Sequence, residues 1–245
     1  CLERIRLEYK IGSDIPMTYA GRLDPMAEGV MIILTGEECK KKEQYLCLDK
    51  TYEFQVLVGF STDTYDLLGL VVDSAPSKEE FERSSDNITS SAEILSSDFV
   101  STLQSFVGTF IQKYPSFSSK TVGGKKLFQL SKDDELPSEM PEHNVTIYKL
   151  SCTSTGVREK EELSKEIIRR IGLVHGDFRQ EEITKKWDEV LKKSDEKEFT
   201  IFSCTAECSS GTYIRQLVDD ISKKIGIPMV TYSIKRTRVG QYRHL

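Results

Sequence analysis

Two β-like runs, residues 144–155 and 198–208, stand on either side of two runs with helical spacing, 161–172 and 180–193. No other feature of the sequence constrains the fold as much. Ile167, Ile168, Ile171 and Leu173, then Ile183, Trp187, Val190 and Leu191, give each helix an apolar stripe that must be buried. Gly172 and Gly176 bound the pair on one side, and a charged Lys192–Glu198 turn bounds it on the other. Upstream, Tyr52, Phe54, Val56 and Val58 form a mostly alternating strand that stops at Gly59. Asp63–Gly69 then reads as a turn, and Leu70-Val71-Val72 begins another strand. Leu2, Ile5 and Leu7 predict the end of a helix, Lys41–Leu48 a short helix, and Met17–Leu23 an extended run broken at Asp24-Pro25. Ser84–Ser97 reads as a loop or frayed helix leading into a helix near Phe99–Val107. Strands that alternate irregularly with helices, several in hairpin-like pairs, predict an α+β fold around a mainly antiparallel sheet.

A chain of 245 residues suits one large domain, or one domain carrying a smaller insert. With 38% hydrophobic and 30% charged residues it can fill a core, and no apolar run approaches the roughly 20 residues that cross a bilayer. The six cysteines lack the spacing of a disulfide scaffold, which predicts reduced thiols; Cys204 and Cys208 share a strand face. With three histidines and no second ligand pair, a zinc site is not expected. The net charge of −5 does not announce a nucleic-acid partner, but the charge is unevenly placed. Residues 99–132 contain Lys113, Lys120, Lys125, Lys126 and Lys132, and residues 221–245 contain Lys223, Lys224, Lys235, Arg236, Arg238 and Arg243. Neither stretch contains an acid, so they could form one phosphate-facing surface or be ordinary solvated faces.

The segment Tyr19-Ala20-Gly21-Arg22-Leu23-Asp24-Pro25-Met26-Ala27-Glu28-Gly29 delivers one carboxylate onto a turn fixed by proline. Glycines on either side permit close backbone approach. On these residues alone Asp24 is either a turn cap before Pro25 or a rigidly placed catalytic carboxylate.

The segment resembles the G-x-L-D-P-x-A-x-G motif of TruB-type pseudouridine synthases. Further elements follow in the family's order. Lys50-Thr51-Tyr52 with Gly59–Gly69 (GFSTDTYDLLG) is similar to K-x-Y … G-x-x-T-D-T-x-D-x-x-G. Pro115-Ser116-Phe117-Ser118 with Gly124-Lys125-Lys126-Leu127-Phe128 is similar to the Pro-x-aromatic-Ser … G-K-x-x-aromatic element, which begins here at Gln112. Ser210-Gly211-Thr212-Tyr213-Ile214-Arg215 matches S-G-T-Y-I-R, and Ile234-Lys235-Arg236-Thr237 resembles L-x-R-T.

The resemblance implies a pseudouridine synthase fold, with a mainly antiparallel mixed central sheet flanked by helices and loops. It implies conversion of the T-loop uridine of tRNA, position 55, to pseudouridine, with no cofactor and no metal. Asp24 would be the catalytic carboxylate and Arg215 its charge partner. Tyr52 would stack on the flipped uracil and assist removal of the C5 proton. Tyr19, Arg22, Lys50, Lys120, Lys125, Lys126, Tyr213, Ile234 and Arg236 would contact RNA, with 120–126 a flexible basic loop. It further implies a cytoplasmic monomer that needs no protein partner or membrane, residues 1–245 forming one catalytic domain with a helical insert at about 157–197. Cys1-Leu2-Glu3 resembles the helix after the family's opening K-P-x-G-x-T motif, so an N-terminal strand is expected to be missing, and no PUA-type domain follows Tyr242. Tyr19 stands where many relatives carry His. A non-catalytic RNA-folding module, or a synthase acting on another RNA, is the alternative.

Overall fold

The computed structural model describes residues 2–74 and 91–243. In chain order the elements are α1 (Leu2–Glu8), β1 (Met17–Ala20), β2 (Glu28–Gly29), β3 (Ile32–Thr35), a 3-10 turn (Gly36–Lys41) and α2 (Lys42–Leu46). Next come β4 (Lys50–Val58), β5 (Phe60–Thr62), β6 (Val71–Ser74), α3 (Ser91–Gln104), β7 (Gly108–Lys113), β8 (Thr121–Val122), β9 (Lys125–Lys126) and α4 (Leu127–Lys132). The chain continues through β10 (Glu142–Glu159), α5 (Lys160–Gly172), α6 (Gln180–Lys193), β11 (Glu198–Cys208), α7 (Ile214–Ile225), β12 (Met229–Val239) and β13 (Tyr242–Arg243).

The central sheet runs β13-β12-β4-β11-β10-β7, antiparallel along that path. A short parallel pairing of β2 with β12 makes it mixed, as expected from the sequence. β10 and β11 pair from Ile147↔Cys208 to Glu159↔Glu198. The helical segment is therefore shorter than the expected 157–197, because residues 157–159 complete the ladder before α5 begins. Strand periodicity sends successive residues to opposite faces. Val56, Phe202 and Met229 join a core with α3 and α7, while Leu57, Ile201 and Val230 join one with α5 and α6. Phe99 of α3 stacks on Phe202 with ring centroids 4.0 Å apart.

The apolar stripes of the helix pair pack as their spacing requires. Leu163, Ile167 and Ile171 of α5 and Ile183, Trp187 and Leu191 of α6 recur at four-residue intervals and are fully buried. Burying each such side chain contributes about 1.5–3 kcal/mol. Ile168 and Leu173, which the stripe on α5 was expected to include, remain exposed. The serine-rich run differs from expectation where it is described. Residues 91–97 belong to α3, anchored by Phe99 and Leu103 one turn apart, and residues 84–90 lie outside the described part. α3 ends at Gln104, short of Val107, and Gly108 (φ +117) begins β7. Among the described residues no helix is long and apolar enough to cross a membrane.

Candidate active site

The extended run before Asp24 ends at Ala20, earlier than the sequence suggests, because Gly21 takes φ +82 and turns the chain. The Ala27 amide donates to the Asp24 carbonyl (3.0 Å), closing a turn whose second residue is Pro25. Both ends of this loop are tied to β12. Arg236 Nη2 donates to the Gly21 carbonyl and Nε to the Val30 carbonyl, each at 2.8 Å. Gly29 lies so close to the Arg236 backbone that a Cβ there would sit 2.2 Å from its carbonyl oxygen, so only glycine fits.

With the turn closed by its backbone, the Asp24 carboxylate is turned to Arg215. Arg215 Nε donates to Oδ2 (2.8 Å) and Nη2 to Oδ1 (2.9 Å), a two-pronged grip. Nη1 donates to the Thr64 carbonyl (2.7 Å) and Nη2 also to the Phe117 carbonyl (3.3 Å). Asp66 Oδ2 lies 3.6 Å from Nε. Burial opposes the charge on this guanidinium, which is 2% exposed, but Asp24 and Asp66 outweigh burial and hold its pKa above the usual arginine value. Burial raises the pKa of Asp66 despite Arg215. Asp66 is satisfied locally, Oδ1 accepting from the Thr64 hydroxyl (2.8 Å) and the Leu68 amide (2.9 Å). Between Thr64 and Asp66, Tyr65 takes φ +64, and its carbonyl accepts from the Thr231 amide.

Two neighbouring elements hold these groups in place. Gln112, fully buried on β7, donates from Nε2 to the Tyr213 carbonyl (3.1 Å) and accepts from the Tyr213 amide (2.9 Å), fixing the start of α7 two residues before Arg215. On the other side Trp187 Nε1 donates to the Leu67 carbonyl (3.1 Å), and Arg179 pairs with Asp63 at 2.9 Å, so the helix pair braces the Asp63–Gly69 turn.

The structure brings Asp24, Arg215, Tyr52, Tyr213 and Ile234 into one neighbourhood. Burial is the main reason that the Tyr52 phenol is pushed up to about 12, with Asp24 a lesser contribution, and burial followed by Asp24 raises Tyr213 as well. Asp24 and Ile234 border a recess of about 10 Å³ with Asp66 and Met26, room for about one water. Tyr19 on β1 is half-buried with Lys42 Nζ 5.7 Å from its ring, and Arg22 is exposed.

Other residues expected at the RNA take different places. Lys50 is buried and its ammonium donates to the Leu46 carbonyl (2.6 Å), with burial lowering its pKa. Arg236 is 2% exposed and serves the loop, which a strand residue pointing inward must do. Within the 120–126 segment β8 pairs with β9 in a short hairpin that turns through Gly123 and Gly124, both at positive φ. On it Lys125 pairs with Glu135 (2.6 Å), while Lys120 and Lys126 lie over the rings of Tyr114 and Phe128. The roles of Asp66 and Gln112 were not read from the sequence, although both lie inside motifs quoted above; their signal was motif position, without geometry to say what they held.

Residues 13–172 match the TruB family pseudouridylate synthase (N terminal domain), 160 of the 245 residues. The match ends where α5 ends. Curated relatives include the tRNA pseudouridine synthase B of Limosilactobacillus reuteri, 28% identical over 242 residues, covering 99% of this chain and 63% of that protein. That of Aquifex aeolicus is 27% identical over 223 residues, covering 91% of this chain and 58% of that protein. The chain thus spans about three-fifths of these relatives' length. A crystal structure of a Cbf5-Nop10-Gar1 complex contains a chain of similar fold, with TM-score 0.50 and 14% identity over all of this chain and 45% of that one. Residues 13–172, which include Asp24, Tyr52 and Asp66, carry that family match, and this chain belongs to the TruB family of pseudouridylate synthases.

Proposed function

We propose that the protein is a tRNA pseudouridine synthase that isomerises the T-loop uridine at position 55 with Asp24 as its catalytic carboxylate. The observation that carries this is the two-pronged Arg215–Asp24 pair, whose carboxylate lies inside the stretch that matches the family and whose arginine comes from α7 beyond it. The similarity to proteins named tRNA pseudouridine synthase B supports tRNA as the substrate. A stacked uridine is unreachable, so it must be extruded to meet Asp24. The carboxylate is one-third exposed, and the recess behind it is too small for a base, so the uracil would approach from the exposed side. Asp24 engages the uridine while the C1′–N1 bond breaks; the uracil turns and C5 bonds to C1′. The hydrogen lost at C5 is matched by one gained at N1, so the reaction needs no oxidant, reductant or co-substrate. Tyr52 and Tyr213 serve as apolar faces for the base, and Arg215 keeps the carboxylate oriented.

The direct test uses the purified chain alone with a synthetic T-arm stem-loop. Wild type is expected to convert the T-loop uridine, located by mapping the modified nucleotide. Asp24→Asn, which keeps the size and removes the charge, is expected to bind RNA and convert none. An Asn variant with near wild-type turnover would remove Asp24 from the reaction, and a wild type that binds without turnover would identify a folding module.

A further inference from the structure

Beside the recess at Asp24 runs a second, larger depression of about 380 Å³, a size typical of small-ligand sites. One wall is the Pro25–Ala27 turn, the floor is Ser233–Lys235 of β12, and the far wall is the C-terminal end of α5. It shares Met26, Ala27, Ser233 and Ile234 with the recess, so the two are neighbours on either side of these residues. We infer that this groove holds a nucleotide of the RNA strand next to the target uridine, the helix pair supplying its outer wall; the inference rests on the proposed function.

Three observations point to that occupant. The groove borders four of the residues that line the recess at Asp24. Its lining combines apolar surface for a base with cations for a phosphate. Met26 and Val174 contribute apolar lining, and Leu173 beside them is left 62% exposed. Arg169, Arg170 and Lys235 face a single acid on the lining, Glu28, in a chain whose net charge is −5. Glu166 pairs with both arginines and so cancels only one of the two charges. The wall is also fixed: Arg170 Nη1 donates to the Tyr232 carbonyl (2.9 Å), and its guanidinium lies 4.3 Å from the Tyr232 ring centroid, holding α5 against β12.

The experiment measures binding of T-arm stem-loops, each carrying one abasic nucleotide beside the target uridine, to the 245-residue chain and its variants. For wild type one flanking position is expected to weaken binding several-fold when its base is removed. Leu173→Asp, at an exposed site where folding is not at stake, should weaken binding of the intact stem-loop and abolish the sensitivity at that position only. The double variant Arg169→Ala/Lys235→Ala should lower the slope of log affinity against log salt by about two units. Glu28→Gln should tighten binding. Effects that simply add at every abasic position, or an unchanged salt slope, would overturn the inference while leaving turnover at Asp24 intact. A wild type that neither binds nor converts the stem-loop would overturn the proposed function and this inference together.

Discussion

Arg215 makes four hydrogen bonds in the site, two to Asp24 and two to backbone carbonyls of separate loops. Methionine at this position would leave Asp66 buried without a counter-charge and Asp24 without its grip. Breaking a buried ion pair costs about 3–5 kcal/mol, but Asp24 is one-third exposed, so we expect Arg215→Met to lose about 2–3 kcal/mol in urea unfolding. Single-turnover rate should fall by about a hundredfold or more, and Arg215→Lys should recover part of it, because the charge returns without the fork. A rate for Arg215→Met equal to wild type would separate Arg215 from the chemistry. Asp66 gives the opposite sign in stability. Its pKa is raised by burial, so its contribution is greatest below the ordinary carboxylate range and is lost as pH rises through the shifted value. Asp66→Asn keeps an acceptor for Thr64 and Leu68. Its stability relative to wild type should therefore grow from pH 4 to pH 7 in denaturant titrations, while turnover falls because Arg215 loses one of its two carboxylates.

At the scale of elements, the α5–α6 pair does more than cover the sheet. Trp187 is fully buried, and its indole satisfies the Leu67 carbonyl inside the turn that carries Thr64 and Asp66. Trp187→Phe should cost about 1–3 kcal/mol, since a buried carbonyl loses its partner. Because the turn holds Arg215, turnover should drop further than RNA affinity; equal losses in both would mean that the helices serve stability alone. Within α5, hydrogen bonds from Arg169 and then Arg170 hold Glu166 down at about 2. A depressed carboxylate stabilises above its unfolded value, near 4.5, and the gain disappears as pH falls towards 2. Glu166→Gln should accordingly narrow its stability gap to wild type as the pH falls from 5 to 2, read by thermal melting across that range.

For the whole molecule, which cations face outward is a matter of folding as much as composition. Part of the second basic stretch is occupied within the protein: Lys223 pairs with Asp219, Arg238 with Glu207, and Arg236 is buried. Lys224 donates to Ser105 and lies over Phe106. Lys120 and Lys126, held over aromatic rings on or beside the β8–β9 hairpin, remain exposed. Replacing both with alanine should reduce the salt slope of T-arm binding by about two units, while Lys223→Ala should leave it unchanged. The reverse ranking would place the RNA on the α7 side of the sheet.

Local patterning in the sequence determined most of the elements, and the resemblance of its motifs pointed to the residues proposed for the site. Four-residue spacing made α5 and α6 legible, alternation did the same for β4 and β11, and Asp24, Tyr52 and Arg215 were readable from motifs in a fixed order, because periodicity and motif spacing are local properties of the chain. Tertiary structure decided which charges face outward. Lys235 borders a groove and Arg236 points inward because neighbours on a strand take opposite faces, and nothing in their identity records which face the sheet will bury. It also decided that Gln112 would clamp Tyr213 across 101 positions and that Trp187 would reach Leu67 across 120. Such partners are joined by the pairing of strands distant in sequence, and a hydrogen bond fixed by that pairing leaves no periodic trace in the sequence around it.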